Sequence, residues 1–181
     1  MKTFVEPYSV IEIINPAIAK GYQDYFDVLW NQEVKTYHGW EEIEKLFSED
    51  LFVDIGESDV ECVIGAGYGE DATREFVANM FLKHNAKIME KGIIKKVLFY
   101  EQYRDRFEQE TRALNPGRYD KYIQVRYLPK EYYFPLETHV FKDKASVSYF
   151  GENPVSTLYQ NPNIVAGFKN QFEFLWQVAK E

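Results

Sequence analysis

"VECVIGAGYGEDATREFVANMFLKHNAKIMEKGIIKKVLFY", residues 60–100, decides how this chain folds. Val60 to Ile64 is an apolar, β-branched run that enters a glycine-rich turn, as a buried strand does. From Ala72 the period changes. Val77, Met80, Phe81, His84 and Ile88 recur at three- and four-residue spacings, which puts them on one face of a helix that Gly92 stops. Ile93 to Tyr100 is apolar and β-branched again. Strand, helix and strand in direct succession imply parallel pairing through a right-handed crossover.

The same periods extend in both directions. Upstream, "TYHGWEEIEKLF" places Trp40, Ile43, Leu46 and Phe47 at helical spacing after Gly39. Earlier still, "SVIEII" (Ser9 to Ile14) predicts a strand. Asn15 as N-cap and Pro16 at the first helical position then open a helix to about Gln32. Downstream, "EQYRDRFEQETRALNPG" is charged and helical up to the turn at Asn115-Pro116-Gly117. "DKYIQVRYL" (Asp120 to Leu128) alternates Ile123, Val125 and Tyr127 against Tyr122, Gln124 and Arg126, as a strand does. "LETHVF" and "ASVSYF" flank "KDK" as a hairpin, and "VSTLY" leads into a last helix. No low-complexity linker interrupts this order, which predicts one α/β domain over residues 1–181.

Composition narrows the function classes. A hydrophobic fraction of 45% beside 28% charged residues is globular rather than disordered. The formal net charge of -8 opposes direct binding to a phosphate backbone, which needs clustered Lys and Arg. The run "KGIIKK" (Lys91 to Lys96) is either a local basic patch or the solvated end of a helix entering a strand. Cys62 is the only cysteine, so no intrachain disulfide forms and a reducing compartment fits best. The amino terminus lacks the build of a secretory signal and no window is long and apolar enough to span a membrane, so a cytoplasmic protein is expected.

Two stretches repeat each other. "NPAIAKGYQDYFDVLWNQ" from Asn15 and "NPNIVAGFKNQFEFLWQV" from Asn161 share Asn-Pro, an Ile, a Gly and Leu-Trp without a gap. Phe4 and Glu6 fall on Phe150 and Glu152 at the same offset. Capping and periodicity do not demand that Gly21 match Gly167, or Leu29-Trp30 match Leu175-Trp176. A duplicated strand-helix unit, residues 1–36 repeating 147–181, accounts for it.

The stretch "VRYLPKEYYFPLETHVFKDKASVSYFGENPVSTLYQNPNIVAGFKNQFEFLW", with "TYHGWEEIEKLF" and "VECVIGAGYG", resembles the carboxy-terminal effector domain of the TrmB family of sugar-responsive transcription regulators. The resemblance covers roughly Tyr37 to Trp176. It implies a phospholipase-D-like mixed sheet flanked by helices: one half-unit, plus the last strand and helix of a second copy in residues 1–36. It also implies a ligand-sensing module for a small polar compound such as a sugar, working as a homodimer. Upstream of Tyr37 there is one strand and one helix and no winged-helix reader, so promoter contact is expected through a separate DNA-binding partner.

Phospholipase-D enzymes attack phosphorus with the His of a His-x-Lys pair, steadied by a later Asp. His139 stands near the matching place. Its second neighbour is Phe141, not Lys, and the seventh is Ser146, so the resemblance implies a domain without that catalysis; a His139 paired with Glu137 on one strand face is the expected state. The "GAGYGED" loop matches neither the dinucleotide nor the P-loop fingerprint. It is either a plain tight turn or a ligand-facing loop in which Gly65, Gly67, Tyr68 and Glu70 meet sugar hydroxyls. Arg126 is either paired or lines a polar pocket. The proposed ligand site is therefore Gly65, Gly67, Tyr68, Glu70, Arg126, Glu137 and His139. An altered phosphodiesterase using His139, and an assembly module joined through Trp30 and Trp176, are the rival functions. His84 lies on the apolar face of its helix, as a core histidine does. Three His and one Cys show no metal-ligand spacing, so neither metal nor cofactor is expected.

Overall fold

The computed structural model of the protein describes residues 15–16, 18–21, 23, 33–65, 73–109 and 117–181. The chain divides into two compact units, Met1–Gln32 and Glu33–Glu181. In the first, the Asn-Pro reading holds: Pro16 is helical, the Ile18 amide donates to Asn15 Oδ1 at 3.4 Å and the Ala19 amide to the Asn15 carbonyl at 2.9 Å. Ser9 to Ile14 lie outside the described residues.

The second unit is built on a seven-stranded mixed sheet. In chain order the strands are β1 (Val34–His38), β2 (Val60–Ile64), β3 (Ile94–Tyr100), β4 (Ile123–Leu128), β5 (Glu137–Val140), β6 (Ala145–Tyr149) and β7 (Val155–Tyr159). Across the sheet they run β1-β7-β6-β5-β2-β3-β4. β2, β3 and β4 pair in parallel, the others antiparallel. The helix between β2 and β3 supplies the crossover that their parallel pairing requires, and β5 with β6 makes the hairpin around "KDK".

Two helices cover one face, α1 (Gly39–Ser48) and α2 (Arg74–Glu90). Ile43, Leu46 and Phe47 of α1 meet Val77, Met80 and Ile88 of α2 in one buried cluster with Phe52, Phe141, Phe150 and Leu158. Two short helices, α3 (Arg104–Phe107) and α4 (Arg118–Tyr122), precede β4. On the opposite face α5 (Pro162–Val178) packs Val165 and Phe172 over Ile64, Leu98, Leu128 and Val140. Because side chains alternate across a strand, each of β2, β3 and β5 sends one set of residues to α1 and α2 and the other to α5.

Two elements differ from the sequence reading. β1 forms where only the approach to a helix was expected; it is an edge strand with one buried residue, Tyr37, so it carries no alternation to read. Asp120 to Tyr122 belong to α4 rather than to the following strand, which begins at Ile123. Gly117 at φ +82°, a conformation that favours glycine, opens that short helix.

Candidate functional site, a buried histidine–carboxylate cluster

Glu61, His84, Lys95, Glu137 and His139 come from four elements and meet beneath α1 and α2, all buried. Glu61 and Lys95 are register partners on β2 and β3, and His139 pairs with Val63 one strand away on β5. Glu137 precedes His139 by two residues and shares its face. His84 arrives from α2, on the stripe that also carries Met80 and Ile88. The sequence therefore places each group by ordinary alternation and helical spacing, while the sheet order brings them together.

One carboxylate oxygen is the hub. Glu61 Oε1 lies 2.8 Å from His84 Nε2 and 2.6 Å from His139 Nδ1. The outer nitrogens also have partners: His84 Nδ1 is 2.9 Å from the Phe47 carbonyl oxygen, and His139 Nε2 is 2.6 Å from Glu137 Oε1. Lys95 Nζ donates to Asn85 Oδ1 at 2.9 Å and lies 3.5 Å from Glu61 Oε2. Aromatic rings close the cluster from above. Phe81 stacks on His139 with centroids 5.6 Å apart and planes at 6°, and Phe47 meets the same ring edge-on at 4.9 Å.

Burial alone would raise the Glu61 pKa, but the positive charges around it, His84, Lys95 and His139, hold the carboxyl well below its usual range. Burial alone would likewise lower His139; Glu61 and Glu137, one at each ring nitrogen, outweigh it and raise the pKa. His84 is pushed down by burial, only partly opposed by Glu61. Glu61 Oε2, Glu137 Oε2 and Ser146 Oγ are buried there without a hydrogen-bond partner, an arrangement that costs stability unless something compensates.

Of the residues singled out from sequence, His139, Glu137 and Gly65 are together. Gly65 has φ +141°, and a Cβ on it would stand 2.9 Å from Glu137 Cα, so glycine is needed to let β2 end against β5. Gly67, Tyr68 and Glu70 lie outside the described residues. Arg126 is on the α5 face instead: it donates to the Trp176 carbonyl oxygen at 2.7 Å, and its guanidinium lies 4.8 Å from the Trp176 ring centroid. There it lines a surface pocket of about 450 Å³ with Arg104, Glu108, Asp120, Gln124 and Trp176. The "KGIIKK" run disperses: Lys91 caps the Ile55 carbonyl, Lys95 is buried in the cluster, and Lys96 lies over Trp176.

Glu61, Lys95 and the role of His84 escaped the sequence reading. Glu61 is the one charged residue in the run read as an apolar strand, and it was the available signal, since a carboxylate in a strand buried on both faces must find partners. The lysine that His139 lacks in sequence is thus supplied nearby from β3, but it is buried, donates to Asn85 and forms an ion pair with Glu61.

No family model matches the sequence, and no curated protein matches it. Among solved structures the chain is similar to TrmBL2, described as an archaeal chromatin protein with a novel mode of DNA binding: TM-score 0.55, 15% identity, 91% of this chain and 62% of that one. It is also similar to Nuc of Salmonella typhimurium, a phospholipase D family member: TM-score 0.51, 10% identity, 81% of this chain and 95% of that one. These likenesses show a phospholipase-D-like α/β fold for this chain. It spans about three fifths of the TrmBL2 chain.

Proposed function

We propose that this chain is a non-catalytic, ligand-responsive domain of the transcription-regulator type. The observation that carries the reading is the state of His139. A nucleophilic histidine needs an exposed nitrogen lone pair and a cation to steady the phosphoryl oxygens. His139 is fully buried and has a carboxylate at each nitrogen, so an approaching phosphate would meet two negative charges. The Lys95 ammonium is held by Asn85 and Glu61 rather than turned to the imidazole.

The ligand we assign is a small polyhydroxylated compound such as a sugar, in the pocket beside β4. Carboxylates from Glu108 and Asp120, the guanidiniums of Arg104 and Arg126, and an indole offer acceptors, donors and an apolar ring face in one concavity. The pocket adjoins the end of α5, so occupancy would bear on how that helix seats through the Arg126–Trp176 contact. TrmBL2 supports a regulatory setting, and the net charge of -8 favours DNA contact through a partner protein over direct phosphate binding.

Thermal-shift screening against sugars, sugar phosphates, polyols and nucleotides tests this. A ligand at a hundred times its Kd adds about 2.7 kcal/mol of apparent stability, a readily measured rise in Tm. The shift should vanish in Arg126→Ala. If no compound in the panel stabilises the protein, the sensing role is wrong; hydrolysis of a generic phosphodiester that disappears in His139→Ala would establish the enzyme instead.

A further inference from the structure

We propose that Glu61, His84 and His139 form a buried site for one divalent transition-metal ion of the zinc class, bound by two imidazole nitrogens and one carboxylate oxygen. One donor atom from each residue lies within 4.8 Å of the others. The assignment does not depend on sugar binding, which concerns the pocket at the β4 edge of the sheet.

The orientation of the rings carries the argument. His84 Nδ1 faces a backbone carbonyl oxygen, which only accepts, so that nitrogen bears a proton. His139 Nε2 faces Glu137 Oε1 and bears one for the same reason. In the neutral tautomers so fixed, His84 Nε2 and His139 Nδ1 both present lone pairs to Glu61 Oε1, at 2.8 and 2.6 Å. At those distances Glu61 Oε1 repels both nitrogen lone pairs unless a cation lies among the three atoms. Two further protons would supply it by making both rings cationic, with centroids 5.7 Å apart and Lys95 alongside, away from water. One metal ion supplies it with both rings neutral.

The groups behind the rings fit that role. A carbonyl and a carboxylate accepting from the outer N–H are the partners that orient metal-binding histidines and raise their basicity. Two imidazoles and one carboxylate oxygen suit zinc, cobalt or nickel rather than calcium or magnesium, which require more oxygen donors. Bonds of about 2.0–2.1 Å in a tetrahedral site, with a water as fourth donor, put donors about 3.3 Å apart, so the contacts to Glu61 Oε1 would open by about 0.5 and 0.7 Å. Glu61 would offer Oε1 to the ion and leave Oε2 to Lys95. As each metal–nitrogen bond forms, the inward nitrogen releases any proton it carries to solvent, with no change of oxidation state. All three side chains are buried, so the ion would be acquired as the chain folds.

The test is to refold the full chain with zinc, with cobalt(II), or with a strong chelator alone, and then to remove unbound metal. We expect about one equivalent of zinc per chain, visible cobalt bands of a tetrahedral nitrogen–oxygen site without thiolate charge transfer, and a higher Tm than after refolding in chelator. His84→Gln and His139→Gln, checked for fold by circular dichroism, should lose metal and bands. If either variant does not refold, the cobalt spectrum of the unaltered protein still decides. No stoichiometric metal, no cobalt bands and a Tm indifferent to chelator would overturn the site and leave a proton-bridged ion cluster. Metal retained equally in both variants, or bands showing thiolate ligation, would overturn it too.

Discussion

Glu61 and Cys62 are neighbours on β2 that face opposite ways, and their chemistry divides accordingly. Glu61 is stabilised as an anion by His84, Lys95 and His139, so its folded pKa lies below its unfolded value. It therefore contributes stability above the ordinary carboxylate range, which is lost as the pH falls through that range towards the folded pKa. Glu61→Gln leaves the Lys95 ammonium buried without its anion and should cost about 3–5 kcal/mol at neutral pH in urea unfolding. The variant's stability should also fall less on acidification, because the titrating group is gone; an acid limb parallel to that of the unaltered protein would refute the assignment. Cys62 faces α5, and burial, with Glu173 adding to it, pushes its thiol up to about 11. Ellman's reagent at pH 8 should find no reactive thiol in the native protein and one after denaturation. A fast native reaction would mean that the α5 face opens readily.

At the scale of elements, α5 is the best specified. Asn161 Oδ1 accepts from the Asn163 and Ile164 amides at 3.0 and 3.3 Å, and Pro162 occupies the first turn. Asn161→Ala should lower stability by about 1 kcal/mol, measured as a shift of the denaturation midpoint at unchanged slope. The Asn-Pro pair announced this cap because capping is a local interaction, complete within three residues. β1 was not announced. Its pairing with β7 depends on residues more than a hundred positions away, from Val34 opposite Tyr159 to His38 opposite Val155, and only Tyr37 is buried to mark it. The early start given to β4 has a similar cause, since Asp120 to Tyr122 fit a strand's alternation while the turn at Gly117 sets a short helix.

For the whole molecule, among the described residues the seven strands of the sheet and the three buried clusters lie within Glu33–Glu181. A chain of residues 33–181 should therefore fold alone, with one cooperative unfolding transition by circular dichroism and by tryptophan fluorescence. Loss of cooperativity in that truncation would show that Met1–Gln32 completes the core. The cluster beneath α1 and α2 is likewise a property of the whole. Glu61 precedes His84 by 23 residues and His139 by 78, spacings that match no ligand motif.

The sequence by itself determined the strand-helix-strand crossover, the β5–β6 hairpin, the Asn-capped helices and the placing of His139 and Glu137 on one strand face. Each follows from period, capping or turn chemistry acting over a few residues. Tertiary structure alone decided that Glu61, His84 and Lys95 join them and that Arg126 goes to the other face. Sheet order and the side from which a helix packs are set by burial summed over the entire core, and a buried charge takes its partners from whatever strands that packing makes its neighbours.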